Sequence, residues 1–423
     1  MNSDNNVQLP DEYDQIHRDL LLFRALSPHE LRNQVAKARK LPMTYSISVR
    51  NGHIDTSLNF DPTKIHNTQV RIDQQVGLIR DIAKDLPDFD AVYSIDDVPT
   101  QFIEYNHRLE MIDHIDSQEG YFDTRAEWDF SYRGWQAGCS SSSPLGEVSN
   151  QGRYKRGKPQ DPRTFRPARF TTALESKSFI KDHRATMDPC LHPDLIPIHS
   201  AFASKSPVVG PLIPVFSLSK TTMHADILGV PTEQVEVNGE LIPWEQRTQD
   251  VLLWRGRTTG PWHKRKNDWR STQRTRLVKM SNGRGWTRTH KDEADSVVHM
   301  LPPSSVVGRS TLDQSAVAEE WEKVNSHYMD VAFTGSVIRK FARRRMRRSA
   351  HSAECDKADG SCKALADGYK YRDRMGVKEA AQYKYVIDVD GNAWSARFQR
   401  LISSGSVVFK STVFRELSGS PAH

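Results

Sequence analysis

From Pro211 onward the chain alternates short apolar runs, "LIPVFSL", "DVLLW", "YKYVIDV" and "SVVF", with stretches of helical spacing. A strand covered on both faces reads as a continuous apolar run, and strands separated by helical segments join most simply as parallel neighbours. The alternation therefore predicts an α/β domain with a largely parallel sheet. Upstream, "EYDQIHRDLLLF" and "SPHELRNQVAKARK" predict helices within 11–40. Ser27 caps the second, with Pro28 at its first position and Glu30 in its first turn. "MTYSISVRNGHI" alternates like a strand entering a turn at Asn51-Gly52. A helix around Val70 to Lys84 is expected to lead into a short buried strand in "LPDFDAVYSIDDVP", ending at Pro99. A boundary near residue 205 divides the chain into lobes 1–205 and 206–423. Residues 138–169, rich in Ser, Gly, Pro and Arg, read as exposed loops.

With 423 residues, 37% hydrophobic and 26% charged, the chain has a soluble globular composition large enough for two or three domains. The 59 basic and 53 acidic residues leave +6, a diffuse excess that suits a nucleotide diphosphate as well as a polyanion. Nucleic-acid binding needs a concentrated footprint. The basic run "RKFARRRMRR", 339–348, is the candidate, but only Phe341 is interleaved and the run reads as an exposed helix or loop. The first residues have neither the basic nor the apolar region of a signal peptide, and no apolar run is long enough to span a membrane. Cys139, Cys190, Cys355 and Cys362 can form two disulfides, and Cys355 with Cys362 could close a short loop. No CxxC pair occurs, so a zinc knuckle is not expected, and "CLHP" with His199 reads as structural histidines and a disulfide.

Three stretches could carry chemistry. In "YKYVIDVDGNAWSARFQRL", Tyr383 to Val389 is a strand, Asp390-Gly391-Asn392 a tight turn and Ala393 to Ile402 a helix. The turn aims backbone N–H groups outward as an anion site, and Arg397 in the first helical turn is easier to understand beside an anion. Many sugar-nucleotide enzymes use an acid-x-acid triplet such as Asp388-Val389-Asp390 to hold a divalent metal against a diphosphate. Asp390-Gly391 is equally good turn chemistry, and the turn reading is preferred, with Asp388 and Asp390 kept as candidates for Mn or Mg. In "LLWRGRTTG", Arg255 and Arg257 flank Gly256, and downstream "QRTRLV" carries Arg274 and Arg276. These could grip phosphate oxygens or form an arginine-rich surface hairpin. In "AVYSIDDVP", Asp96 and Asp97 sit at the carboxyl end of a strand, where only one of two neighbours should face a cleft. Such a carboxylate could accept a proton from a hydroxyl, or could simply be solvated.

Taken in order, "DEYDQIHRDLLLF", "LPDFDAVYSIDDVP", "MDPCLHP", "PLIPVFSLSKTTMHADIL", "WEQRTQDVLLWRGRTTG", "DVAFTG" and "YKYVIDVDGNAWSARFQRLISSGSVVFKST" resemble glycosyltransferase family 90 across most of the chain. That family joins fungal capsule-associated glycosyltransferases to Rumi-type protein O-glucosyltransferases. The resemblance implies a GT-B-type α/β fold of two Rossmann-like lobes: an acceptor and base lobe, and a C-terminal donor lobe. It also implies inverting transfer of xylose or glucose from a UDP-sugar to a hydroxyl of a glycan or protein, in the ER or Golgi lumen. Asp97 matches the family's catalytic base. Arg257, Arg274 and the run Asn392, Ala393, Trp394, Ser395, Ala396 and Arg397 match donor-contacting positions, beside Arg255 and Gly256. No cofactor is expected beyond the donor. Fungal relatives usually carry a membrane anchor before the entry segment and continue past "KSTVFRE" into helices that complete the donor lobe. This sequence departs from both patterns, so the competing expectation is an inactive member that binds nucleotide or a partner. A basic nucleic-acid-binding protein acting through 339–348 ranks last.

Overall fold

A computed structural model describes residues 11–62, 68–118, 120–123, 134–150, 182–204, 207, 209–230, 241–267, 269–282, 325, 327–335 and 355–417. The basic run 339–348 and residues 151–169 lie outside the described residues. Of the expected exposed loop 138–169, the described part holds a helix, Pro144–Asn150, with Cys139 and Leu145 buried.

The described residues are mixed α/β and build two five-stranded sheets. The first is mixed. Strands β1 (Thr44–Arg50) and β2 (His53–Leu58) form a hairpin. Its two turn residues, Asn51 at φ 49° and Gly52 at φ 78°, adopt the left-handed conformations that a two-residue hairpin requires. β3 (Phe89–Ser94) pairs antiparallel with β1, and the short β4 (Phe216–Ser217) and β5 (Ile227–Leu228) extend the sheet in parallel. Helix Pro28–Ala38 starts as expected, with Ser27 Oγ accepting from the Glu30 N–H at 3.1 Å. Helix Thr68–Ile79 continues into a 3-10 stretch Arg80–Asp85 and lays Ile72 against Tyr45 and Ile47 of β1.

The second sheet is wholly parallel, in the order β10-β9-β6-β7-β8: β6 is Gln249–Gly256, β7 Met329–Thr334, β8 Tyr371–Arg372, β9 Tyr383–Val389 and β10 Val407–Ser411. One face packs Trp254, Val331, Phe333 and Val389 against Leu277 and Val278 of helix Gln273–Asn282. The other face buries Leu253, Tyr383 and Val386 near Ala380 and Leu401. Coverage on both faces suits the apolar runs of the central strands, whereas at the edge Val407 and Phe409 of β10 are exposed.

Several expectations are corrected. The boundary near residue 205 falls inside the first sheet, since β4 and β5 lie beyond it. The strand expected to reach Pro99 stops at Ser94. Asp96 then turns on itself, its N–H bonding Ser94 Oγ at 3.1 Å and its carboxylate taking the Val98 N–H at 3.3 Å. "QRTRLV" belongs to a helix, not to a surface hairpin. The helix expected over 393–402 is only Phe398–Ile402. Before it, residues 391–397 bend, closed by the Gly391 N–H on Trp394 C=O at 2.7 Å.

The two sheets are knitted into one body. A core of Phe102, Trp135, Phe202 and Met223 also takes in Ala393 and Phe414 from the flanks of the second sheet. Past β10 the chain runs back to pair with the first part, Lys220 and Arg415 exchanging backbone hydrogen bonds at 3.0 and 2.8 Å. Disulfides join Cys139 to Cys190 and Cys355 to Cys362, and the described residues contain no free cysteine. No helix among the described residues is long and apolar enough to cross a membrane.

Candidate functional site

The bend after β9 meets Asp97. Asn392 Nδ2 donates to Asp97 Oδ2 at 2.9 Å, and Trp394 Nε1–H donates to Oδ1 at 3.2 Å. From helix Thr68–Ile79, Arg71 donates to the same Oδ1 at 2.8 Å, and its other terminal nitrogen holds Ile95 C=O at 2.6 Å. Arg71 also lies 5.8 Å from the Trp394 ring. Burial alone would raise the Asp97 carboxyl, but the Arg71 guanidinium, with Asn392 and Trp394, outweighs it and holds the group below its ordinary range. Asp97 is therefore a fixed carboxylate. Its side chain keeps 29% exposure, and Oδ2, with a single donor, can accept another hydrogen bond.

The bend itself is rich in unused donors. Among the described residues no acceptor faces the backbone N–H groups of Asn392 through Arg397, although Ala393, Trp394 and Ser395 are buried. Buried N–H groups are seldom left without partners, so this is a place where an anion or water would be held. Gly391 is tightly enclosed: an added Cβ would stand 3.0 Å from Trp394 O and 3.1 Å from an Arg274 nitrogen.

The acid-x-acid triplet faces inward. Asp388 is fully buried and takes a short hydrogen bond from Ser395 Oγ. Arg397 and Lys410 lie at 3.4 and 3.2 Å from its two oxygens. Asp390, also fully buried, has His199 Nε2 at 3.1 Å and Thr412 Oγ1 and the Val413 N–H at 2.9 Å, all on Oδ2. A divalent ion needs several oxygens free to point at it, whereas both oxygens of Asp388 and Oδ2 of Asp390 are turned to cations and donors of the fold, leaving Asp390 Oδ1 buried without a partner. One spare oxygen is too few for this pair alone to hold Mn or Mg. Among the described residues no group of three or more His, Cys, Asp or Glu is arranged to hold a metal.

The arginines expected around the donor differ sharply in what they do. Arg255 is bound to Asp330 on β7, at 2.6 Å to Oδ2 and 2.7 Å to the backbone oxygen, and Tyr383 Oη donates to the same carboxylate at 2.8 Å. Arg274 is a staple: it holds Asp390 C=O at 2.8 Å, Arg257 C=O at 3.1 Å, Val389 C=O at 3.2 Å and the Thr259 hydroxyl. Burial, with Arg397 close by, pulls it down to about 9. Arg397 holds Arg255 C=O at 2.6 Å and Val389 C=O at 3.0 Å, with its charge 5.5 Å from the Trp254 ring. Gly256 makes room for this, because a Cβ there would come within 2.6 Å of the Trp254 ring and 2.9 Å of Arg397. Arg257 alone among these four is exposed, and its guanidinium bonds no described residue. Ala396, half-buried in the bend, contributes only backbone.

Asp97 and the run 392–397 are thus brought together, with Arg257 at the end of β6, whereas Arg255, Arg274, Arg397 and the triplet hold the strand ends in place. Sequence reasoning missed Arg71, the partner that fixes Asp97, because nothing in "TQVRIDQQV" marks one helical arginine as inward-facing. A scan against protein-family models finds no match for this chain, and a search of curated proteins finds no relative.

Proposed function

We propose that the protein is an inverting glycosyltransferase with two Rossmann-like lobes, moving xylose or glucose from a UDP-sugar to a hydroxyl of a glycan or protein. The observation that carries this reading is the meeting of Asp97 with Asn392 and Trp394, a part-exposed carboxylate set against a bend of unused N–H donors. In the proposed reaction the acceptor oxygen attacks the anomeric carbon, the bond to the diphosphate breaks, and its electron pair leaves with UDP. The acceptor proton passes to Asp97 Oδ2. A carboxylate held below its ordinary range is a weak base, so transfer comes late, when the attacking oxygen has bonded to carbon and its proton is acidic. The bend N–H groups and Arg257 would carry the diphosphate charge. Arg397 acts behind them by fixing the bend. The reaction uses no metal on this reading, since both oxygens of Asp388 and Oδ2 of Asp390 already have partners and Asp390 Oδ1 is a single spare oxygen. Two disulfides suit the oxidising lumen of the ER or Golgi.

UDP release from a panel of UDP-sugars tests the reading. Asp97→Asn should abolish turnover and leave UDP binding intact, and unchanged turnover would remove Asp97 from the base role. A second reading, nucleotide binding without turnover, is favoured by the attachment of Arg255, Arg274 and Arg397 to protein acceptors. It predicts a UDP-dependent rise in Tm with no release of UDP from any donor.

A further inference from the structure

A cavity of about 510 Å3 lies on the Leu253 and Val386 face of the second sheet, bordered by helices Val377–Ala380 and Phe398–Ile402. Asp97, Asn392 and Trp394 do not line it. Its walls are chiefly apolar, with Leu253, Met375, Ala380, Val386 and Leu401 among them, yet Arg255, Lys378, Arg397 and Arg400 line it too. Arg255 and Arg397 have carboxylates, Asp330 and Asp388. Half-buried Arg400 bonds no described residue, and Arg255 Nε is buried without an acceptor. Burial pulls Arg400 down and Arg397 and Arg374 push it further the same way, with the Asp388 carboxylate opposing them by less, so the charge is incompletely compensated.

We propose that the cavity binds a single-tailed amphipathic anion, its chain against Leu253, Met375 and Val386 and its phosphate or carboxylate head on Arg400. The volume falls in the range of small-molecule sites, roughly 300–1,000 Å3, which are apolar with a few placed polar groups. A guanidinium fork matches either head group. A sugar nucleotide fits poorly, because its many hydroxyls and its base need more hydrogen-bond partners than the few polar side chains of these walls, Gln382 and Lys378 among them, supply. Ser404 already donates to Leu401 C=O at 2.6 Å and Ser406 to Tyr383 C=O at 2.8 Å.

Calorimetric titration below micelle-forming concentrations tests this with decyl phosphate and decanoate, whose relative affinities identify the head group. Decyl maltoside supplies the tail without charge, inorganic phosphate the charge without a tail, and UDP the nucleotide. Saturable binding of one anion per chain is expected, with Arg400→Gln weakening it about tenfold, the scale of a charge-assisted hydrogen bond. Ala380→Trp should block the cavity. Equal affinity in Arg400→Gln, equal binding of decyl maltoside, no saturable binding of either anion, or displacement of the anion by UDP would each overturn the proposal. Arg400 is half-buried and bonds no described residue, so its replacement decides the matter even where Ala380→Trp does not fold.

Discussion

His199 Nε2 stands 3.1 Å from Asp390 Oδ2, with the two side chains only 4% and 1% exposed. The contact ties the end of β9 to the segment that opens helix Ser200–Ser204, and Ser200 Oγ adds a hydrogen bond to Gly391 C=O at 2.9 Å. The aspartate that looks most like a metal ligand is thus a joint between the end of β9, the segment after β10 and helix Ser200–Ser204, beside the bend that reaches Asp97.

Asp390→Asn should destabilise the protein by about 1–3 kcal/mol, the cost of mismatched buried hydrogen-bond partners. Denaturant unfolding measures it. On the same geometry a chelator should leave donor turnover unchanged, and restoration by Mn or Mg of activity lost to chelator would return the triplet to a metal role.

Arg71→Gln should move the acid limb of any pH–rate profile upward. Asp97 lies below its ordinary range because Arg71 and two neutral donors outweigh its burial. It therefore stays ionised until the pH falls below the usual carboxylate range, and its contribution to stability is lost only as pH drops through that lowered value. Removing the guanidinium leaves burial to raise the group, so activity should fail at a higher pH than in the unaltered protein. An unmoved limb would detach Arg71 from this role.

Glu416 gives stability the opposite slope. Burial pushes it up to about 7, against the pull of Lys410 at 2.8 Å. A carboxyl raised on folding contributes fully below its unfolded value, and that contribution is lost as pH rises through about 7. Glu416→Gln should therefore raise Tm by a few degrees at pH 8 relative to the unaltered protein, with little gain at pH 5. Thermal melts at the two pH values check the sign.

Gly256→Ala should cost about 1–3 kcal/mol, the usual penalty of overpacking. The new methyl would meet the ring of Trp254, which is 1% exposed and cannot step aside, as well as Arg397. Gly77→Ala, where an added Cβ meets nothing within 4 Å, is the matched control in the same unfolding measurement.

Replacing both Cys139 and Cys190 by Ala should lower stability by about 2–4 kcal/mol, because their bond closes a loop between residues 51 apart. The bond joins the Trp135 segment to the stretch leading to His199, so UDP binding should weaken alongside Tm. A fall in Tm with UDP binding intact would separate the disulfide from the site.

Local chemistry was readable from residue order alone. Ser27-Pro28-His29-Glu30 caps its helix, Asn51-Gly52 turns its hairpin, and "YKYVIDV" forms a strand over the expected residues, because each depends on neighbours a few positions away. The parallel character of the second sheet follows from the same local alternation. Where elements stop was another matter: the Ala393 to Arg397 stretch has helical spacing, yet Ala393 is drawn into the core around Phe102 and Phe202 and the helix waits until Phe398. The roles of charged residues were decided by partners far along the chain. Arg255 was claimed by Asp330, Arg274 by the carbonyls of Val389 and Asp390, and Asp97 by Asn392, 295 residues away. A guanidinium or carboxylate carries the same charge whether it serves a ligand or a strand end. Only the burial and donors that folding brings to it select between them, and those belong to the tertiary structure.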